Sequence, residues 1–305
     1  MTNSILHPTR DDMQRVFDFM LACDVAEYGD PDSDLGDLTA QWDEADLSRD
    51  VWISLDPSGT LIGYALFSVT SAERCDLDTY VHRHISPPEL WLRFYDLAVE
   101  RFMQAVQAGE CEPGAKFVTY INAENTHACA NAQGYGFNDT KHHFRMQIDF
   151  ETPYPVPQTP SGCHINTYTE DAEDELFNLI VSTFDWEGVV AFDRETWKKQ
   201  VFRGGRADLN DFFLLRREGR LVGAALCYDE GDLIWLKELA VAKSEQGTGL
   251  GSYLLRQVFA TYSQRGAHTV ALGVVSTNPK AAAFYERTGM CRTREFVQFE
   301  YVAAA

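Results

Sequence analysis

Gly247, Gly249 and Gly251 alternate in the stretch Gln246-Gly247-Thr248-Gly249-Leu250-Gly251-Ser252. That spacing can hold phosphates. A turn that opens a helix leaves backbone N–H groups unpaired, the helix dipole adds partial positive charge there, and glycine lets an anion approach the backbone. The elements needed to position these groups flank the turn. Leu233 to Leu236 and then Leu239-Ala240-Val241 read as a buried strand, and Ser252 to Phe259 reads as a helix with one apolar face.

A turn of this kind also suits a tight strand-to-helix connection with no ligand. Two phosphate patterns are excluded. No Gly-Lys-Ser/Thr is present, and G-x-G-x-G is not the G-x-G-x-x-G of a dinucleotide fold. The second informative stretch is Asn278-Pro279-Lys280-Ala281-Ala282-Ala283-Phe284-Tyr285-Glu286-Arg287-Thr288-Gly289-Met290. Together the two resemble the GNAT superfamily of acyl-CoA-dependent N-acyltransferases. Gln246-x-x-Gly249-x-Gly251 matches its Gln/Arg-x-x-Gly-x-Gly/Ala motif. The second stretch matches Asn-x-x-Ala-x-x-Phe-Tyr-x-x-x-Gly-Phe, with Met290 in the last place.

The resemblance implies a fold and a set of roles. The fold is α/β, with a mixed, mostly antiparallel sheet flanked by helices. Gln246, Gly247, Thr248, Gly249, Leu250, Gly251 and Ser252 would hold the pyrophosphate of acetyl-CoA. Leu239, Ala240 and Val241 would offer a strand edge to the pantetheine arm, and the N–H of Val241 or Leu239 would polarise the thioester carbonyl. Asn278, Ala281, Phe284 and Tyr285 would complete the cofactor contacts. Tyr285 would be the general acid toward the leaving sulfur; the alternative is a core tyrosine tied to a backbone carbonyl. Glu238 is the candidate base, because a carboxylate within an apolar strand is costly unless paired or used. Lys237 is its plain pairing partner, and Asp229 and Glu230 are alternative bases.

The chain reads as two copies of this domain. Gly59-Thr60-Leu61-Ile62-Gly63 matches Gly219-Arg220-Leu221-Val222-Gly223, and Asn125-x-x-Ala128 with Gly136 matches Asn278-x-x-Ala281 with Gly289. The Pro-rich stretch from Pro153 to Pro160 reads as a stiff connector. It places a degenerate, non-catalytic domain at residues 1–152 and a catalytic, acetyl-CoA-binding domain at residues 161–305. Aligning Ile85-Ser86-Pro87 with Val241-Ala242-Lys243 sets Leu90, Arg93 and Tyr95 opposite Gln246, Gly249 and Gly251, and Ala132 opposite Tyr285. Thr79 to Ser86 reads as a strand carrying His82 and His84 on one face. The layout resembles the tandem type of mycothiol synthase-like proteins. The apolar loop at residues 185–192 is expected to meet the first half, which would wall the acceptor cleft.

The acceptor implied is the primary amine of a small molecule, attacked directly in a ternary complex. The alternative is a non-catalytic acyl-CoA-binding sensor or partner-binding module. A formal net charge of −20 leaves no basic stripe for nucleic acid. Residues 1–150 hold 25 of the 46 acids and 10 of the 26 lysines and arginines. That excess reads as solubility or as attraction of a cationic amine. No apolar run reaches a membrane span, no metal-ligand spacing is apparent, and the seven scattered cysteines suit a reducing, cytoplasmic setting. A monomer or homodimer is expected.

Overall fold

The computed structural model describes residues 3–184, 194–202, 205, 207–231 and 233–301. In chain order it comprises β1 (Ser4–Leu6), α1 (Met13–Tyr28), α2 (Leu35–Glu44), β2 (Val51–Leu55), β3 (Leu61–Ser71), β4 (Arg74–Val81), α3 (Leu90–Ala108), β5 (Lys116–Asn122), α4 (Thr126–Tyr135) and β6 (Asn138–Asp149). There follow β7 (Cys163–Thr167), α5 (Glu173–Phe184), α6 (Arg194–Phe202), β8 (Phe212–Arg217), β9 (Arg220–Asp229), β10 (Ile234–Val241), α7 (Leu250–Gln264), β11 (Thr269–Val275), α8 (Pro279–Arg287) and β12 (Cys291–Tyr301). The apolar loop at 185–192, with Trp186, Val189, Val190 and Phe192, lies outside the described residues.

The chain folds into two compact units. The first comprises Met1–His143 with Glu295–Ala305, and the second Phe144–Arg294. This differs from a division at the Pro-rich connector, because the last part of the final strand of each half belongs to the other unit. The second half of β6 enters the second unit, where Met146 joins the core and Phe144, Ile148 and Phe150 pack on it. Conversely, Phe296–Tyr301 of β12 pair antiparallel with Phe117–Asn122 of β5, and Val297 and Phe299 are buried in the first unit's core. The sequence reading assigned no strand to residues 291–301.

Each unit has a sheet with an apolar layer on both faces. In the first, the strand order is β1-β2-β3-β4-β5-β12. One face is covered by α3 and α4 through Phe94, Ala98, Phe102 and Ala128. The other is covered by α1 and α2 through Val16, Phe19, Leu38 and Trp42. In the second unit the order is β6-β11-β10-β9-β8-β7. There α7 supplies Leu254, Leu255, Val258 and Phe259 to one face. Leu176, Ile180, Trp197 and Val201 of α5 and α6 cover the other. β4–β5 in the first unit and β10–β11 in the second are parallel neighbours, and the flanking hairpins are antiparallel.

The strand expected at Thr79 to Ser86 is instead Arg74–Val81. Its alternating buried residues, Cys75, Leu77 and Val81, exhaust the period-2 pattern, and the chain turns where Ser86 N–H donates to the His82 carbonyl. His82 and His84 therefore stand in a turn, not on a strand face, with their rings 5.9 Å apart.

Candidate active site

The site of the second unit begins with a register change in β10. Leu236 lies opposite Cys227 and Glu238 opposite Leu226, so Lys237 is an extra residue with no counterpart on β9. A bulge of this kind reverses the side-chain alternation. Ile234 and Leu236 face α7. Beyond the bulge Ala240 faces α5 and α6, and Glu238, two residues before it, shares that face with Trp235. Without the insertion Glu238 would point into the α7 core.

A second departure opens the strand. β10 pairs with β11 at Ile234 and Trp235 only, whereas its pairing with β9 continues to Val241. From Leu236 onward the edge facing β11 is unpaired in the ladder. Ala242 N–H donates to the Val222 carbonyl on the β9 side at 2.9 Å. By the two-residue alternation, Ala240 points the same way, and the N–H groups of Leu239 and Val241 face the open side.

The turn after β10 is held from within. Gln246 Nε2 donates to the Val241 carbonyl at 3.2 Å, Glu245 N–H to the Ala242 carbonyl at 2.8 Å, and Thr248 Oγ1 to the Glu245 carbonyl at 2.6 Å. The buried Glu245 carboxylate is offset by Arg217 at 2.8 Å and Arg220 at 3.8 Å. Gly247 and Gly249 have φ of +80° and +90°, and a Cβ at either would meet nothing within 4 Å. Both face open space in a conformation that excludes most side chains. Tyr253 N–H returns to the Gly249 carbonyl, so the N–H groups of Leu250, Gly251 and Ser252 form the free first turn of α7. These residues fit a phosphate group: open glycines, three converging donors and a helix N-terminus.

Asn278 and Ala281 have a local task. Asn278 Oδ1 accepts from Ala281 N–H at 3.1 Å and caps α8, with Pro279 in its first turn. Gly289, at φ +100°, ends the motif, and Met290 is buried in the core where the motif usually has phenylalanine. Asn125 caps α4 in the same way, accepting from Ala128 N–H at 3.0 Å, and Gly136 follows at φ +114°. The repeated Asn-to-Gly span is therefore a capped helix with a left-handed exit.

Phe284 and Tyr285 project from α8 toward the strand end. A Cβ on Gly251 would lie 3.5 Å from Val241 Cγ2 and 3.6 Å from Phe284 Cζ, so Phe284 fixes α8 against the turn and β10. Tyr285 packs edge-on against Phe284 at 5.2 Å. Its hydroxyl has no hydrogen-bond partner among the described residues, and its ring packs on the unit's core. Burial, with the charge of Glu238 adding to it, holds the phenol above its usual range. The structure thus gathers Glu238, the Leu239–Val241 edge, the 246–252 turn, Phe284 and Tyr285. Trp235, which sequence reasoning passed over, shares the Glu238 face, with the Arg145 guanidinium 5.1 Å from its ring centroid.

The first unit lacks this arrangement. Gly63 pairs with Val81 as Gly223 pairs with Val241, and α3 starts at Leu90 as α7 starts at Leu250. Equal spacing sets Pro87, Pro88, Glu89 and Trp91 opposite Gly247, Thr248, Gly249 and Gly251. This corrects the alignment through Ile85, in which Leu90, Arg93 and Tyr95 stood at the turn. Two prolines donate no N–H, and Glu89 repels an anion. β4 also has no bulge: Leu77, Asp78, Thr79 and Tyr80 pair without a break.

Among the described residues no group of three or more His, Cys, Asp or Glu could hold a metal ion, and no helix is long and apolar enough to cross a membrane. Comparison with known proteins agrees with the geometry. A mycothiol acetyltransferase of Thermobispora bispora is 26% identical over 178 residues, 53% of this chain and 57% of that protein. The chain therefore aligns with little more than half of that curated relative's length. Among solved structures, a GCN5-related N-acetyltransferase from Sphaerobacter thermophilus superposes with a TM-score of 0.85 at 22% identity, covering 98% of this chain and 95% of that one. A tandem GNAT protein from the clavulanic acid biosynthesis pathway superposes with a TM-score of 0.72 at 15% identity, over 100% and 99% of the two chains. Residues 173–290 match the acetyltransferase (GNAT) family.

Proposed function

We propose that the second unit transfers an acetyl group from acetyl-CoA to the primary amine of a small molecule, by direct attack in a ternary complex. The observation that carries this reading is the convergence of Glu238 and Tyr285 at a splayed strand whose free N–H groups lead into an open glycine turn. The free donors of residues 246–252 suit the pyrophosphate. The Leu239–Val241 edge suits the amide-bearing arm, and its N–H groups suit the oxyanion that develops on the thioester carbonyl.

Each proton then has a destination. Glu238 takes one from the attacking ammonium, directly or through water. The amine nitrogen bonds to the carbonyl carbon and the carbon–sulfur bond breaks. Tyr285, kept protonated by its surroundings, gives its proton to the departing thiolate and regains one from the former amine nitrogen, which sheds a second proton as it becomes a neutral amide. The first unit, with prolines and Glu89 at its turn, is non-catalytic in this reading. A relative named as a mycothiol acetyltransferase supports a small-molecule acceptor.

The test is acetyl transfer to a panel of small amines, followed by release of free CoA thiol. Amine-dependent thiol release that falls about a hundredfold in Glu238→Gln supports the reading. Acetyl-CoA binding with no turnover on any amine would favour a sensor instead.

A further inference from the structure

The first unit has its own cavity, of about 220 Å³, at the place where β4 and β5 part. Arg74 to Leu77 pair with Lys116 to Thr119, and the cavity is lined by residues just beyond, including Asp78, Thr79, Tyr80, Ile121 and Asn122. By register these positions match the second unit's site: Asp78 pairs with Leu66 as Glu238 pairs with Leu226, and Thr79 with Ala65 as Leu239 with Ala225. The space is retained while its chemistry has changed.

Four carboxylates line it, those of Asp24, Glu27, Asp32 and Asp78. Asp24 accepts the N–H groups of Asp32 and Ser33 at 3.0 and 2.7 Å. Glu27 accepts from Asn122 and Asn125 and has Arg83 at 4.0 Å. Asp78 has only a long 3.5 Å contact from Gln41 Nε2. Neither Asp24 nor Asp78 has an ion-pair partner among the described residues. Desolvation raises both carboxyls, that of Asp78 to about 6 with the charge of Asp76 adding to it. Asp78 reaches solvent, while the protein around it strips the hydration a lone carboxylate needs.

The aromatic lining specifies the missing partner. Aromatic rings of Tyr28, Trp91 and Phe296 share the lining, with Tyr28 edge-on to Phe296 at 6.0 Å. A bare metal ion would leave those rings idle, and no metal-holding group occurs among the described residues. An organic cation uses both parts: carboxylates for its charge and ring faces for its cationic carbons.

We propose that the first unit binds a small organic ammonium ion in this cavity, with Asp78 as its principal counter-charge. The proposal does not depend on the chemistry assigned to the second unit. It is tested by calorimetric titration of the full chain with phenethylammonium chloride, alongside 2-phenylethanol as the uncharged analogue and calcium chloride as a bare cation. Asp78→Asn is expected to weaken phenethylammonium binding about tenfold or more. Tyr28→Leu, at a half-buried position on the rim, is expected to weaken it severalfold. Glu238→Gln should leave this binding in place. No binding by the wild type would overturn the proposal, as would equal affinity in both first-unit variants, loss of all binding in Glu238→Gln, or a preference for 2-phenylethanol or calcium.

Discussion

Asp78 and Glu238 occupy the same place in the two units, each one pairing back toward the start of its strand from the pair made by Ala65 or Ala225, yet only Glu238 is preceded by an inserted residue. Counted along the register, Leu66 faces Asp78 and Leu226 faces Glu238, and Lys237 is then skipped before Cys227 meets Leu236. The two carboxylates thus share a sheet position, but the strand before them differs. In the second unit the bulge throws Trp235 and Glu238 onto one face beside an open edge. In the first the regular ladder keeps Asp76, Asp78 and Tyr80 on one face.

Tyr285→Phe should lower kcat by about a hundredfold and leave the affinity for acetyl-CoA almost unchanged. The hydroxyl acts on a thiolate that exists only late in the reaction, and Phe retains the packing against Phe284. Steady-state kinetics with direct measurement of acetyl-CoA binding checks this. Equal rates for the two proteins would return Tyr285 to a packing role. Because the phenol is held above its usual range, loss of its proton should not limit the wild-type rate below the normal tyrosine pKa.

Asp78→Asn should stabilise the first unit at neutral pH. The folded-state pKa of Asp78 is raised from 3.8 to about 6, so between those values the folded chain holds a proton that the unfolded chain releases. Stability is therefore highest below about pH 4 and falls as pH rises through 6. Thermal melts across this range should show the variant gaining over wild type at pH 7 and losing that gain at pH 4. A constant difference would mean that Asp78 carries no such strain.

Phe299→Ala should destabilise the first unit by about 3–5 kcal/mol, although Phe299 is near the end of the sequence. Its side chain is 1% exposed and lies in the core built by α3 and β5. Denaturant unfolding followed by the tryptophans of the first unit checks the size, and hydrogen exchange checks the place. Protection lost mainly in β8 and β9 would contradict the strand exchange.

How far the sequence could be read depended on the range of the interactions. The Asn278-to-Gly289 and Asn125-to-Gly136 spans were legible because cap and exit lie within one helix. The glycine turn was legible for the same reason. The exchange of Phe144–Asp149 and Phe296–Tyr301 was not, since a strand's partner is chosen by distant apolar faces. The bulge did leave a trace: Lys237-Glu238 interrupts an apolar run and breaks its alternation. In the first half, Pro87-Pro88 replaced the glycines that would have fixed the alignment, and the reading slid four residues to Ile85. His82 and His84 then took on a strand period that belongs to Cys75, Leu77 and Val81.

The central claim is that one unit of the two uses acetyl-CoA, and calorimetric titration of the full chain with acetyl-CoA tests it most directly. The account expects one site per chain, with affinity falling more than tenfold in Gly249→Val, where a side chain must adopt φ near +90° within the phosphate turn. Replacing Glu89 in the first unit should change nothing. Two equivalent sites per chain, or affinity unaltered by Gly249→Val, would contradict it.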